Sequence, residues 1–200
     1  MPTDYYPTIL IPAYQPNENL VKLIKALRQA RAKQRIIVVD DGSDADKQII
    51  FSKIQHLNVE LLQHTKNKGK GQALKTGFQY WLATSHPRDL GLVTADADGQ
   101  HLPQDILHLC DAFMQKPSDL YLGIRTFNKV PIPWRSRIGN KLTKYILRLF
   151  SKTDLEDTQT GLRAIPRKLL PALLSSNATG YEFELEMILI AEENQVLIQE

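Results

Sequence analysis

Apolar and polar positions fall into blocks along the chain, and the blocks alternate between two periods. Residues 8–14, TILIPAY, form a short β-rich run stopped by Pro12 and followed by a loop through Pro16. Asn17 stands where an N-cap is expected, ahead of 18–32, in which Leu20, Leu23, Ile24, Leu27 and Ala30 recur at helical spacing. RIIVVD at 35–40 is a continuous apolar run, the mark of a strand covered on both faces. DDGSD breaks it, and a helix is predicted over 45–56. VELLQH at 59–64 predicts a third strand, followed by the loop TKNKGKG and a helix to about Thr84. GLVTA at 91–95 reads as a fourth strand, Pro103 opens the next helix, and DLYLGI at 119–124 reads as a fifth.

Strands alternating with helices of this length predict βαβ units, hence an α/β fold with a mostly parallel central sheet flanked by helices. Such sheets bind ligands beyond the carboxyl ends of their strands. Those ends carry Pro12-Ala13-Tyr14, Asp40-Asp41 and Asp96-Ala97-Asp98, so three polar or turn-forming tips are expected on one edge.

Composition narrows the class. At 200 residues, 42% apolar and 24% charged, the chain is expected to be one globular domain spanning 1–200. The single cysteine, Cys110, excludes an internal disulfide framework and fits a reducing cytosol. The N-terminus lacks the basic and apolar regions of a secretory signal, and no apolar run approaches the ~20 residues that span a bilayer. Net charge is only +3 but unevenly placed. Eight basic residues and no acid lie between Arg125 and Lys152, whereas 177–200 holds six glutamates and no base. The basic patch is suited to an anion or an anionic surface. It lacks interleaved stacking aromatics beyond Trp134 and Tyr145, so nucleic acid is not an expected partner.

The paired aspartates change the picture most. Residues i and i+2 of an extended segment point the same way, so Asp96 and Asp98 are expected to face one point, with Gly99 turning the backbone behind them. A hard divalent cation relieves their repulsion, and Mg²⁺ commonly takes one or two carboxylates plus substrate phosphates. The bland alternative is a solvated Asp-Gly turn. Asp40 and Asp41 occupy the position at which acidic residues read a nucleoside in open α/β sheets, although the same sequence makes a good helix cap. NKGKGQALKTG lacks the spacing of a Walker loop, which leaves Lys70 as a mobile cation near an anionic ligand. The five histidines show no metal-ligand spacing, and His56, His64, His86 and His108 are expected in structural or surface roles.

Taken in order, TILIPAYQPNENL, IIVVDDGSD, NKGKGQALKTGF, TADADGQH, LGIR, DTQTGLRAIPR and GYEFELEM resemble family-2 glycosyltransferases of the GT-A fold, over almost the whole chain. DADGQH and DTQTGLRA look most like the polyprenyl-phosphate, dolichyl-phosphate type hexosyltransferases. The resemblance implies a GT-A-type, Rossmann-like sheet and a metal-dependent, inverting transfer of a hexose from a nucleotide-diphosphate sugar, UDP favoured over GDP, to a polyprenyl phosphate. It implies Mg²⁺ or Mn²⁺ held by Asp96, Asp98 and Gln100. It also implies a nucleotide held by Pro12, Ala13, Tyr14, Asp40, Asp41 and Lys70. Asp96, Asp98 and Asp157 would be the catalytic carboxylates, Asp157 orienting the acceptor or serving as base if the acceptor were a hydroxyl. Arg125, Arg135 and Arg137 suit forked contacts with an acceptor phosphate. Glu182 or Glu184 is placed within reach of the donor sugar.

From Ile138 the segment IGNKLTKYILRLF sets Ile138, Leu142, Tyr145, Ile146, Leu149 and Phe150 on one stripe and Lys141, Lys144 and Arg148 on the other. A basic amphipathic helix of this kind can lie in a bilayer interface, or pack on the core with its lysines in water. The resemblance thus implies a cytoplasmic enzyme, peripheral at the inner face of the cell membrane through 134–152, and a chain lacking the C-terminal membrane or tail region of its relatives. Two other readings fit the residues: a glycosyltransferase acting on a saccharide or cell-wall polymer hydroxyl, and a non-catalytic nucleotide-sugar-binding subunit.

Overall fold

The computed structural model describes residues 6–124 and 160–200. Arg125, Arg135, Arg137, Asp157 and the amphipathic stripe from Ile138 lie outside the described residues.

The apolar runs become the middle of one seven-stranded sheet. In chain order its strands are β1 (Thr8–Ala13), β2 (Ile36–Asp40), β3 (Glu60–Gln63), β4 (Gly91–Thr94), β5 (Leu120–Leu122), β6 (Arg163–Pro166) and β7 (Ile198–Gln199), arranged β3-β2-β1-β4-β6-β5-β7. The first four are parallel neighbours, β6 runs antiparallel between β4 and β5, and β5 pairs parallel with β7. Every residue of β1, β2 and β4 is buried, as continuous apolar strands covered on both faces must be.

Helices cover the two faces and divide alternate strand residues between two cores. Ile9, Ile11, Ile36, Val38 and Val93 pack with α1 (Glu18–Ala30), α2 (Gln48–Gln55) and α4 (Pro103–Gln115). Leu10, Ile37, Val39, Leu92 and Ile165 pack with α3 (Lys70–Thr84), α5 (Leu170–Leu174) and α6 (Glu182–Glu193). Asn17 caps α1 as expected, its side-chain oxygen accepting the Asn19 amide at 2.8 Å, and Pro103 sits in the first turn of α4.

Register brings the strand ends together. Ala13 lies opposite Asp40, the Asp41 amide donates to the Ala13 carbonyl at 2.8 Å, and the His64 amide donates to the Asp40 carbonyl at 2.8 Å. The β1, β2 and β3 tips therefore finish on one line, next to the loop that leaves β4.

Candidate active site

The line of strand ends opens on a cavity of about 650 Å³, a size typical of small-ligand sites. Pro12, Ala13 and Tyr14 wall it from the end of β1, Asp41 from just past β2, Lys70 from the start of α3, and Asp96, Asp98 and Gln100 from the loop after β4. Of the residues expected at a nucleotide or metal, the structure brings these eight together. Asp40 is not among the lining residues. Its fully buried carboxylate accepts from the Ser43 amide (2.8 Å), Gln48 Nε2 (3.2 Å) and Gln63 Nε2 (3.1 Å), which makes it the anchor of the turn after β2.

Asp41 is held by an imidazole and two backbone amides. Its Oδ1 accepts from His64 Nδ1 at 2.6 Å and from the Lys68 amide at 2.9 Å, and its Oδ2 accepts from the Gly69 amide at 2.9 Å. A carboxylate offers about four acceptor sites, so three bonds leave room for one more. Gly69 takes φ +96°, and a Cβ there would strike the Thr179 carbonyl. That close approach lets the segment ahead of α6 reach the cavity, where Gly180 and Tyr181 also line it.

Asp96 is held by charge. Lys70 Nζ lies 2.6 Å from Asp96 Oδ1 and 2.8 Å from Glu184 Oε1, and His101 Nε2 lies 3.1 Å from Asp96 Oδ2. Burial opposes ionisation of Asp96, but the His101 hydrogen bond and the Lys70 ammonium outweigh it and hold the carboxyl well below its usual range. Burial likewise works against the Lys70 charge, and Glu184 with Asp96 more than reverses it, raising its pKa. Gly161 abuts this group, since a Cβ there would collide with both carboxylate oxygens of Asp96.

Asp98 differs again. It is exposed, and its oxygens accept from the Gln100 amide at 2.9 Å and Gln100 Nε2 at 2.7 Å. Asn19 Nδ2 donates to the Asp98 carbonyl at 2.8 Å, tying the loop to the first turn of α1. Residues 97–98 form a turn rather than an extended segment, so the two aspartates reach the cavity through the bend at Gly99 (φ +88°) and not through strand alternation. Nor does their mutual repulsion by itself require a metal, because Lys70 and His101 already compensate Asp96. Two carboxylates and the Gln100 amide oxygen are nevertheless hard oxygen donors of the kind that Mg²⁺ or Mn²⁺ takes alongside substrate phosphates. Among the described residues no cluster of three or more His, Cys, Asp or Glu stands ready as a metal site by itself. The donor set therefore fits a metal whose coordination a ligand completes.

Glu182 is occupied elsewhere, accepting the Thr179 and Gly180 amides at 3.0 and 2.8 Å. Glu184, expected within reach of the donor sugar, is buried against Lys70. Tyr181, 78% exposed, was not foreseen; Lys70 Nζ stands 5.6 Å from its ring centre. His64 and His101 were also missed as partners of cavity aspartates. For the approach of Tyr181 and Glu184 the local signal is glycine at 69 and 71, since a Cβ at either would collide with residues of 179–183.

Comparison with known proteins places the chain. The model of glycosyl transferase family 2 matches residues 8–174. The UDP-N-acetylglucosamine–dolichyl-phosphate N-acetylglucosaminyltransferase of Methanococcus voltae is 30% identical over 210 residues, covering 96% of this chain and 82% of that protein. The polyprenol monophosphomannose synthase of Mycolicibacterium smegmatis is 28% identical over 187 residues, covering 90% and 69%. Among solved structures, glucosyl-3-phosphoglycerate synthase from Mycobacterium tuberculosis, in complex with Mn²⁺, UDP and glucosyl-3-phosphoglycerate, superposes with a TM-score of 0.74 at 18% identity. That match covers 98% of this chain and 70% of the other, and it identifies the fold as the GT-A type.

Proposed function

The chain belongs to glycosyl transferase family 2 and is an enzyme that transfers sugars; from that premise we propose that it moves a hexose from a nucleoside-diphosphate sugar, UDP-linked in preference to GDP-linked, to a polyprenyl phosphate. One observation carries the reading: a single cavity at the strand ends joins Asp41 and the Pro12–Tyr14 turn on one side to Lys70, Asp96, Asp98 and Gln100 on the other. The first group suits a nucleoside and the second a diphosphate. Support for the lipid acceptor comes from the relatives, which are named for dolichyl and polyprenyl phosphate chemistry.

In this reading Tyr14 and Asp41 orient the base, and Lys70 places a positive charge beside the phosphates. Asp96, Asp98 and Gln100 would hold Mg²⁺ or Mn²⁺, which when bound neutralises charge developing on the departing diphosphate. Tyr181 offers an apolar face on which the hexose ring can rest while Lys70 faces its polar edge. The acceptor phosphate, with a second pKa near 6, attacks C1 as a ready-made anion. The bond from C1 to the diphosphate breaks with its electron pair on the leaving oxygen as the new C1–O bond forms on the opposite face, and no base is needed. Arg125, Arg135 and Arg137 are assigned to the acceptor phosphate and Asp157 to its orientation, on the sequence alone. The same basic segment, 134–152, is assigned to the membrane surface. Peripheral contact is proposed for that segment on the sequence alone; among the described residues no helix is long and apolar enough to cross a membrane.

The test is a panel of UDP- and GDP-hexoses with polyprenyl phosphate and Mg²⁺ or Mn²⁺, followed by detection of glycosyl-phosphoryl-lipid. Transfer from one donor supports the assignment. Transfer only to a saccharide hydroxyl, or donor binding without turnover on any acceptor, would overturn it.

A further inference from the structure

We propose that Thr76, His64 and Asp41 form a relay that holds the loop 67–69 in its ligand-binding shape, which makes His64 and Thr76 positioning residues for the donor nucleotide. The inference rests on the function proposed above for its nucleotide and on geometry alone for its loop. His64 sits at the carboxyl end of β3 and is buried. Its Nδ1 lies 2.6 Å from Asp41 Oδ1 and its Nε2 lies 2.9 Å from Thr76 Oγ1. An ionised carboxylate only accepts, so Nδ1 carries the hydrogen. In the neutral ring Nε2 presents a lone pair, which the Thr76 hydroxyl fills as donor. One tautomer thus satisfies both ring nitrogens and orients the imidazole.

The relay closes on itself. Thr76 belongs to α3, and the amides that Asp41 accepts, Lys68 and Gly69, lie at the entry of that same helix. Hydrogen bonds therefore run from α3 through the β3 and β2 tips and back to the start of α3. Asn67 and Gly69 on this loop wall the cavity, and the loop delivers Lys70 to Asp96 and Glu184. If the imidazole is lost, Asp41 keeps its two amide bonds but loses the side-chain donor that orients it, and the loop amides lose a fixed acceptor. The consequence falls on how the site receives its donor, not on the bond-breaking step, since neither His64 nor Thr76 lines the cavity.

Four variants test this: His64→Asn, which keeps a donor near the place of Nδ1; His64→Gln, which carries its donor near the place of Nε2; His64→Leu, which removes both; and Thr76→Val, which removes the hydroxyl at constant shape. Two readouts are needed, amide hydrogen exchange at Lys68 and Gly69, and donor KM against kcat. His64→Leu is expected to speed exchange at both amides and raise donor KM about tenfold, the scale of a lost hydrogen bond to a charged group, with kcat little changed. His64→Asn should recover most of both effects, His64→Gln should not, and Thr76→Val should fall between wild type and His64→Leu. Exchange and KM unchanged in folded His64→Leu overturn the relay, as do equal effects of Asn and Leu, or faster exchange with no change in KM. If His64→Leu does not fold, Thr76→Val and the Asn–Gln contrast decide the matter by the same criteria. A wild-type protein that takes no nucleotide sugar would overturn the proposed function and the affinity half of the relay, while the exchange series still decides whether His64 holds the loop.

Discussion

Asp41 and Asp96 face the same cavity and are held in opposite ways. Asp41 is fixed by an imidazole and two backbone amides built into the sheet edge and the entry of α3. Asp96 is fixed by an ammonium shared with Glu184 and by His101. Hydrogen bonds from rigid elements set direction and resist rearrangement. An ion cluster on the long side chain of Lys70 sets charge instead, and Lys70 can move to a phosphate when one arrives. The difference matches the two tasks proposed for the cavity, reading a base at one end and managing diphosphate charge at the other.

The largest expected effect lies at the charge end. Asp98→Asn should lower transfer by about 10²–10³-fold, the scale of removing one electrostatic contact to the leaving group. The melting temperature should stay put, because Asp98 is exposed and its described side-chain partner is Gln100. Near-normal turnover in that variant would erase the distinction drawn here. Lys70→Met comes next. It strands Asp96 and Glu184 with less compensation, so it should cost about 3 kcal/mol in chemical denaturation and weaken donor use by roughly tenfold or more. Stability loss without weaker donor binding would make Lys70 a purely structural cation.

Gly161→Ala sharpens the comparison without changing any charge. Its Cβ must push Asp96 aside, so we expect about 1–3 kcal/mol of destabilisation and a measurable drop in kcat/KM, with Asp41-dependent nucleotide contacts preserved. A third carboxylate supplies the smallest effect. Glu60 takes a forked ion pair from Arg35, at 2.7 and 2.9 Å, at the partly exposed edge strand. The hydrogen bond from Arg35 overcomes burial and holds its pKa below the usual value of 4.5. A depressed folded-state value means stability present above pH 4.5 and lost as pH falls through the folded value. Wild type should therefore lose about 0.5 kcal/mol more than Glu60→Gln between pH 7 and pH 3, the discount being set by solvent screening. Equal losses would show that this pair contributes nothing.

The parallel half of the fold was legible because its signals are local. Continuous apolar runs gave β1 and β2, Asn17 and Pro103 marked helix starts, and the strand boundaries from β1 to β5 agree within one or two residues. The start of α2 comes three residues later than expected, after a 3-10 turn at Ala45–Lys47. The antiparallel part was not. Arg163-Ala164-Ile165-Pro166 has an arginine and a proline in four residues, and it becomes β6 only because β4 and β5 flank it. Its Arg163 is buried, donating to the Thr160 carbonyl at 2.9 Å and to the Glu184 carbonyl. No local pattern announces such a strand, nor the short α5 and β7.

The site divides along the same line. Residues at strand ends were found by their place in the topology, and those at β1, β2 and β4 do meet, with Asp40 turned instead into the sheet edge. Their partners were not found, because Glu184, Tyr181, His101 and His64 act through contacts set by tertiary packing. Six glutamates in one acidic stretch look alike in sequence, and only the approach of α6 to Lys70 singles out Glu184.

The most direct test of the central claim is calorimetric titration of the wild-type chain and Asp98→Asn with UDP, GDP and dTDP, each with and without Mn²⁺. The account predicts that one nucleotide binds wild type with Mn²⁺, and that removing the metal or substituting Asp98 weakens it sharply. Equal binding by both proteins regardless of Mn²⁺, or no binding of any nucleotide, would contradict it.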